Sequence, residues 1–137
     1  MLRQMLWLFL ALTLTPALWY LFERSWDRRL FRSGSGRVCT NLTAPQAREW
    51  LRANPETQVI DVRSIREFKR GALPNARNVS LGDPNFDAIL AQLDVTKPVL
   101  VYCAGGYRSR KAVERLQSLD FVNIQHLHRG YLSWRER

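Results

Sequence analysis

The strongest constraint on the fold is an alternation of extended and helical patterns along residues 43–124. Apolar runs bounded by turn-forming residues predict buried strands at 59–62 and 99–102, and weaker strand patterns lie at 78–80 and 121–124. Helical patterns with capping residues lie between them, beginning at Thr43, Ser64 and Asp83 and near Arg108. Strands that alternate with helices form a parallel sheet covered on both faces. We therefore predict a three-layer α/β/α domain with a central parallel sheet.

A second feature is an uncharged apolar run of 18 residues, 5–22. As a helix it would span about 27 Å, close to the hydrocarbon thickness of a bilayer. A cleaved signal peptide is the alternative, but its apolar stretch is normally about 7–15 residues long and ends at a small-x-small site. We predict an uncleaved single-pass anchor with its basic flank in residues 1–31, a flexible tether in 32–38 and a domain in 39–137.

Charge around the apolar run predicts which side of the membrane holds the domain. Five arginines follow the run up to Arg37, whereas Arg3 and the amino terminus precede it. By the positive-inside rule the domain should be cytoplasmic, at a bacterial-type inner membrane. The periplasmic side remains the alternative, because a single span with positive charge at both ends can insert either way.

The composition limits the classes of function that this chain can have. The net charge of +9 could serve nucleic acid, lipid or small anions, but no aromatic-basic stripe or zinc-finger signature accompanies it. We expect no nucleic-acid partner. The two cysteines, Cys39 and Cys103, are too few for a disulfide scaffold, and together with His126 and His128 they give no metal-ligand spacing. We expect no bound metal.

The strongest candidate site is the segment Cys103-Ala-Gly-Gly-Tyr-Arg-Ser109. It follows the most strand-like run and precedes a helix, which places it at the carboxyl end of a strand, where α/β sheets bind ligands. Gly105 and Gly106 allow successive N–H groups to turn toward one point, and the helix beginning near Arg108 adds its positive end. We expect these groups to stabilise a Cys103 thiolate. A buried cysteine that only packs is the alternative.

Several segments carry a family resemblance. They are Val-Ile-Asp-Val-Arg at 59–63, Glu67-Phe68 with Gly-Ala-Leu-Pro at 71–74 and Asn78-Val79, the cysteine segment from Val101, and Gly-Tyr-Leu-Ser-Trp at 130–134. In this order, over roughly residues 39–135, the chain resembles rhodanese-like domains. The resemblance implies a rhodanese-like fold and a single-domain thiosulfate or persulfide sulfurtransferase.

The resemblance also implies residue roles. Cys103 would be the nucleophile that takes a sulfane sulfur and becomes a persulfide. The substrate cradle would be Ala104, Gly105, Gly106, Tyr107, Arg108 and Ser109. Thiosulfate or a persulfide would donate the sulfur, and a thiol or cyanide would accept it. No cofactor is expected, because sulfur itself is the covalently carried group.

Two departures from the family pattern are visible. The family often has Gly-His-Ile-Pro-Gly where this chain has Ala72-Leu73-Pro74-Asn75 after its glycine, and its usual Gly-Gly is Arg129-Gly130 here. Neither lies at the nucleophile. We expect both to affect substrate contacts or packing more than chemistry.

Other polar residues have two interpretations each. Asp61 could hold the cysteine loop by hydrogen bonds or satisfy its own turn. Arg63, a second supporting candidate, is four residues from Glu67 and could form an ion pair with it. Arg108 could contact an anion or be solvated.

The remaining histidines and cysteine are weaker candidates. His126 and His128 would share one strand face and are expected to be ordinary surface or core residues. Cys39 could resolve a Cys103 persulfide as a disulfide, but an inert thiol is the simpler interpretation.

Three functions compete on these residues. The first is a membrane-anchored sulfurtransferase. The second, a cysteine phosphatase or arsenate reductase, needs five residues between the cysteine and its arginine, whereas Arg108 follows Cys103 after four. The third is a non-catalytic binding module that recruits a protein partner at the membrane; the sequence does not identify that partner. The loop is one residue shorter than a cysteine phosphatase requires, and the cysteine is retained. Both features favour the first function, the sulfurtransferase.

Overall fold

The structure, a computed structural model, describes residues 1–32, 34 and 36–135. It divides the chain into two compact units, Met1–Leu30 and Phe31–Arg137. Ser33 and Ser35 of the predicted tether, and the last two residues of the predicted domain, lie outside the described residues.

The first unit is one helix, α1, which spans Leu2–Leu30. By length and composition this helix could cross a membrane, and a signal sequence has the same properties. The hydroxyl of Thr15 donates a hydrogen bond to the carbonyl oxygen of Ala11 at 2.6 Å, and that of Thr13 donates to Phe9 at 3.0 Å. These two polar side chains therefore have partners within the helix, as an apolar surrounding requires.

The second unit alternates strands and helices. Its elements are β1 (Val38–Leu42), α2 (Ala44–Ala53), β2 (Gln58–Asp61), α3 (Ile65–Lys69), β3 (Arg77–Asn78), α4 (Phe86–Leu90), β4 (Val99–Tyr102), α5 (Tyr107–Ser118), β5 (Asn123–Leu127) and α6 (Gly130–Arg135). The five strands form one parallel sheet in the order β1-β5-β4-β2-β3. The predicted parallel sheet is confirmed, with β4 at its centre.

Helices cover both faces of this sheet. Because residues alternate along a strand, Leu100 and Tyr102 of β4 point to one face, where they belong to a core cluster with residues of α2 and α6. Val99 and Val101 point to the other face, and α5 packs against β4 and β5. Both sets are fully buried, which explains why β4 is a continuous apolar run in the sequence.

The helix starts at Thr43 and Ser64 are confirmed, and both have capping boxes. Helix α4 begins at Phe86 and not at the predicted Asp83. The Asp83 carboxylate instead accepts the N–H of Asn85 at 2.8 Å, and its backbone carbonyl accepts the N–H of Phe86. This Asx turn precedes the helix and delays it.

The predicted strand at 121–124 is wrong by about two residues, because β5 begins at Asn123. Asp120 has φ +64, and the N–H of Phe121 donates to the carbonyl oxygen of Leu116, which closes the end of α5. The apolar Phe121 therefore belongs to a helix terminus, where such a residue commonly packs back on the last turn. The strand predicted at 78–80 is also displaced, to Arg77–Asn78. Strand β1 and helix α6 were not predicted from the sequence.

Candidate active site

Cys103 lies directly after β4, at the carboxyl end of the central strand. Its side chain is 1% exposed, and its Sγ accepts a hydrogen bond from the backbone N–H of Gly106 at 3.0 Å. Gly106 has φ +103 and caps the start of α5; a Cβ at this position would approach the guanidinium of Arg110 to 2.9 Å. A glycine here thus allows the N–H to point at the sulfur, as the sequence predicts for this loop.

Helix α6 holds the other side of the same loop. The N–H of Tyr131 donates to the carbonyl oxygen of Cys103 at 2.7 Å, and that of Leu132 donates to Ala104 at 3.1 Å. Gly130 has φ +57, and a Cβ there would collide with both carbonyl oxygens. Because the carbonyls are bound by α6, the loop can present N–H groups rather than carbonyl groups to the cysteine sulfur.

Asp61 and Arg63 form a buried ion pair at the end of β2, the strand beside β4. The guanidinium Nε lies 3.0 Å from each Asp61 carboxylate oxygen, and Nη2 lies 2.6 Å from Oδ2. Nη2 also donates to the carbonyl oxygen of Gly71 at 2.6 Å, and the guanidinium stacks over the Tyr131 ring at 4.2 Å. The pair therefore connects β2 to the helix that holds the cysteine loop. The interpretation in which Arg63 pairs with Glu67 is wrong, because Arg63 pairs with the buried Asp61 carboxylate and Glu67 pairs elsewhere.

Arg108 pairs with Glu67. Its two terminal nitrogens lie 2.9 and 2.7 Å from the two carboxylate oxygens, and both side chains are about one-third exposed. These hydrogen bonds, with those from Ser64, lower the pKa of Glu67 to about 2 against a smaller effect of burial. Arg108 is thus paired with Glu67 while part of its side chain stays exposed to solvent, and its contact with an anion remains a prediction.

His126 connects to the cysteine loop through Ser109. The Ser109 Oγ lies 3.3 Å from Cys103 Sγ and 2.7 Å from His126 Nε2. On its other side His126 Nδ1 lies 2.8 Å from the amide oxygen of Asn41, whose nitrogen lies 3.1 Å from His128 Nδ1. Asn41 was not among the predicted site residues, and His126 was expected to be an ordinary surface or core residue. No local pattern marks this contact, because β5 has the sequence Asn-Ile-Gln-His-Leu, in which three residues are polar.

The second cysteine is in a different environment. Cys39 is buried in β1, where desolvation raises the pKa of its thiol to about 11, although a hydrogen bond to Gln117 acts in the opposite direction. Its thiol is therefore protonated at neutral pH. Both cysteines are free thiols, and the part of the chain that the structure describes contains no group of three His, Cys, Asp or Glu residues suited to a metal ion.

The sheet is parallel, and a buried cysteine lies in a glycine-containing loop at the end of its middle strand. These features define the class: an α/β protein with a candidate site centred on a thiol. The sequence model of the rhodanese-like domain matches residues 43–137, and the chain belongs to this family. The fold is rhodanese-like, as expected from the resemblance.

Individual relatives agree with this assignment. The chain is 31% identical to the uncharacterized protein YqhL of Bacillus subtilis over 98 residues, covering 72% of this chain and 74% of that protein. It is 29% identical to the thiosulfate sulfurtransferase GlpE of Shewanella oneidensis over 79 residues, 58% of this chain and 76% of that one. The crystal structure of a rhodanese-related protein from Thermoplasma volcanium superposes with a TM-score of 0.61 at 30% identity, covering 70% of this chain and 90% of that one.

Proposed function

We propose that this protein is a membrane-anchored sulfurtransferase that carries sulfane sulfur on Cys103. The observation that supports this most is the 3.0 Å hydrogen bond from the Gly106 N–H to the Cys103 sulfur, in a loop whose carbonyls are held by α6. A sulfur that accepts a hydrogen bond from a backbone N–H is stabilised as an anion, which is the form that attacks. A relative named thiosulfate sulfurtransferase adds support.

The proposed reaction has two transfers. The Cys103 thiolate attacks the outer sulfur of thiosulfate, the S–S bond of the donor breaks, and sulfite leaves with the electron pair. An acceptor thiolate or cyanide then attacks the terminal sulfur of the Cys103 persulfide, which restores the thiolate. Negative charge stays on sulfur throughout, so we assign residues 104–109 to the cradle that stabilises it, and no cofactor is required.

Arg108 is proposed to attract the anionic donor. Its guanidinium stands at the start of α5 and is partly exposed, so one edge can meet a sulfonate while the other stays on Glu67. Asp61 and Arg63 are proposed to act indirectly, by holding α6 against the loop.

Incubation with thiosulfate followed by intact-mass measurement tests the nucleophile. The full chain in detergent should gain one sulfur atom. The gain should persist in Cys39→Ser, the matched control, and disappear in Cys103→Ser. A gain that survives Cys103→Ser would overturn the assignment. No gain in the wild-type chain, with either thiosulfate or a low-molecular-weight persulfide, would favour the alternative of a non-catalytic module.

We also propose that α1 is an uncleaved anchor and that the domain is cytoplasmic. The apolar run lies within one continuous helix, and arginines follow it. A reporter that is active only outside the cytoplasm, fused to the carboxyl terminus, should be silent. Amino-terminal sequencing of the membrane-bound protein should begin before the apolar run. An active reporter would place the domain in the periplasm, and a start beyond the run would indicate a cleaved leader.

A further inference from the structure

Arg129 stands in the turn between β5 and α6, at a position where the family pattern has a glycine. Its φ is +57, a backbone conformation that an arginine adopts only at a cost. Its backbone nitrogen lies 3.4 Å from the Cβ position of Gly106, the residue whose N–H bonds the Cys103 sulfur. Arg129 is exposed, and within the part of the chain that the structure describes its side chain has no ion-pair or hydrogen-bond partner. The turn therefore brings an extra cation to the edge of the cysteine loop.

A cavity of about 550 Å³ lies beside this turn. Its walls include His128 and Arg129 of the turn, Ser133 of α6, and Ala44, Pro45 and Arg48 of α2. Of the described residues that line it, two are arginines and none is acidic. Sites for small molecules typically have volumes of about 300–1,000 Å³. The size of the cavity and its charge together favour a small organic anion as the ligand.

The polar side chains of this cavity offer hydrogen-bond donors. Arg48 donates to the carbonyl oxygen of Trp134 at 2.5 Å and stacks over that ring at 4.1 Å; a guanidinium has five N–H groups, so others remain for a ligand. The amide nitrogen of Asn41 donates to His128 Nδ1 at 3.1 Å, so the neutral imidazole carries its proton on Nε2. The Ser133 hydroxyl donates to the carbonyl oxygen of His128 at 3.0 Å, which occupies an acceptor within the turn. A carboxylate, which only accepts hydrogen bonds, matches these groups.

We propose that this cavity binds the carboxylate of a small thiol that accepts sulfur from Cys103, and that Arg129 determines the preference for it. This rests on the proposed function of Cys103. The acceptor enters as a thiolate, and its sulfur attacks the terminal sulfur of the Cys103 persulfide. The S–S bond of that persulfide breaks, its electron pair stays on the Cys103 sulfur as a thiolate, and the acceptor leaves as a persulfide. Arg129 contacts the acceptor away from the reacting atoms, so its loss should raise KM more than it lowers kcat.

Sulfur transfer to two thiols of similar size measures this preference. The full chain in detergent is supplied with thiosulfate and with either mercaptopropionate, which is anionic, or mercaptoethanol, which is neutral, and kcat/KM is determined for each acceptor. Arg129→Gln should lower the anionic-to-neutral ratio of kcat/KM by about fivefold, the effect of one exposed ion pair, whereas Arg129→Lys should keep most of the ratio. Arg77→Gln is the matched control: Arg77 is also exposed but lies on β3, at the opposite edge of the sheet from β1, so its ratio should be unchanged.

Alkylation of Cys103 provides a second measurement that needs no sulfur transfer. The chain carrying Cys39→Ser is treated with iodoacetate or with iodoacetamide, which add groups of the same size but differ in charge, and the two rates are followed by mass spectrometry. Arg129→Gln should lower the ratio of the iodoacetate rate to the iodoacetamide rate, and Arg77→Gln should not. When sulfur is transferred, an acceptor ratio in Arg129→Gln equal to that of the control, or an equal loss in Arg129→Lys, would overturn the site. If the wild-type chain transfers no sulfur to either thiol, the proposed function fails, and the alkylation ratio alone decides whether Arg129 attracts an anion to this cysteine.

Discussion

Replacing Arg63 by methionine tests how the ends of β2 and α6 are held together. Methionine keeps much of the side-chain volume but removes the guanidinium. Asp61, which is 0% exposed, would lose its contacts to Nε and Nη2 and keep the backbone N–H of residue 63 at 2.9 Å. The Gly71 carbonyl oxygen would lose its 2.6 Å donor, and the Tyr131 ring would lose its stacked cation.

The expected loss of stability is large. Removing one partner of a buried ion pair leaves an uncompensated charge, which costs about 3–5 kcal/mol. For a unit of about 100 residues, 1 kcal/mol corresponds to about 5 °C in Tm, so Arg63→Met should lower the Tm by about 15–25 °C. A typical domain has only about 5–15 kcal/mol of stability in total.

Thermal melting of the full chain in detergent, followed by near-ultraviolet circular dichroism, measures this change. Arg52→Met is the matched control, because its pair with Glu49 is 3.4 Å long and both side chains are 75% exposed. Such a pair contributes less than about 1 kcal/mol. Adding Asp61→Asn to Arg63→Met should recover part of the lost Tm, since it removes the isolated charge. A Tm for Arg63→Met close to that of the control, or a double variant no more stable than the single one, would refute the reasoning.

Three further substitutions test the loop and its surroundings. Gly130→Ala should destabilise the domain by about 2–5 kcal/mol, because φ is +57 and the Cβ would meet the Cys103 carbonyl; an unchanged Tm would contradict this. The pKa of Glu67 is lowered from 4.5 to about 2, so its contribution is complete above pH 4.5 and is lost as the pH falls to about 2. In urea unfolding at successive pH values, Arg108→Gln should reduce the loss of unfolding free energy at low pH by up to about 1 kcal/mol. A pH dependence identical to that of the wild-type chain would argue against the pair. Arg129→Gly should raise stability by about 0.5–1 kcal/mol, since Arg129 has φ +57; a lower Tm would show that the arginine side chain compensates.

The local sequence pattern was sufficient to locate the cysteine loop. The apolar run of β4 is unbroken because both faces of the central strand are covered, so the residue after it could be located without knowing the rest of the sheet. Strand β1 was not predictable in the same way. It lies at the sheet edge, and its segment Val-Cys-Thr-Asn-Leu includes half-buried polar residues, which weaken the apolar signal.

Partners of charged residues could not be predicted, because they depend on how distant segments meet. Spacing along the chain favoured a pair between Arg63 and Glu67, yet Arg63 turns to the buried Asp61. Glu67 then pairs with Arg108, 41 residues away. The position of Asn41 beside His126 likewise depends on the parallel register of β1 and β5, which no local pattern specifies.

The pairing of β1 with β5 also has a consequence for the order of folding. Val38 at the start of β1 pairs with Asn123 at the start of β5, so the first strand of the sheet docks on the last one. Closing so long a loop is slow, because its entropy is lost before the contacts form. A nascent chain therefore holds β1 without its neighbour until β5 has been synthesised. Since β5 also pairs with β4, the strand that Cys103 follows, we expect the cysteine loop to reach its final form only after the rest of the sheet has formed.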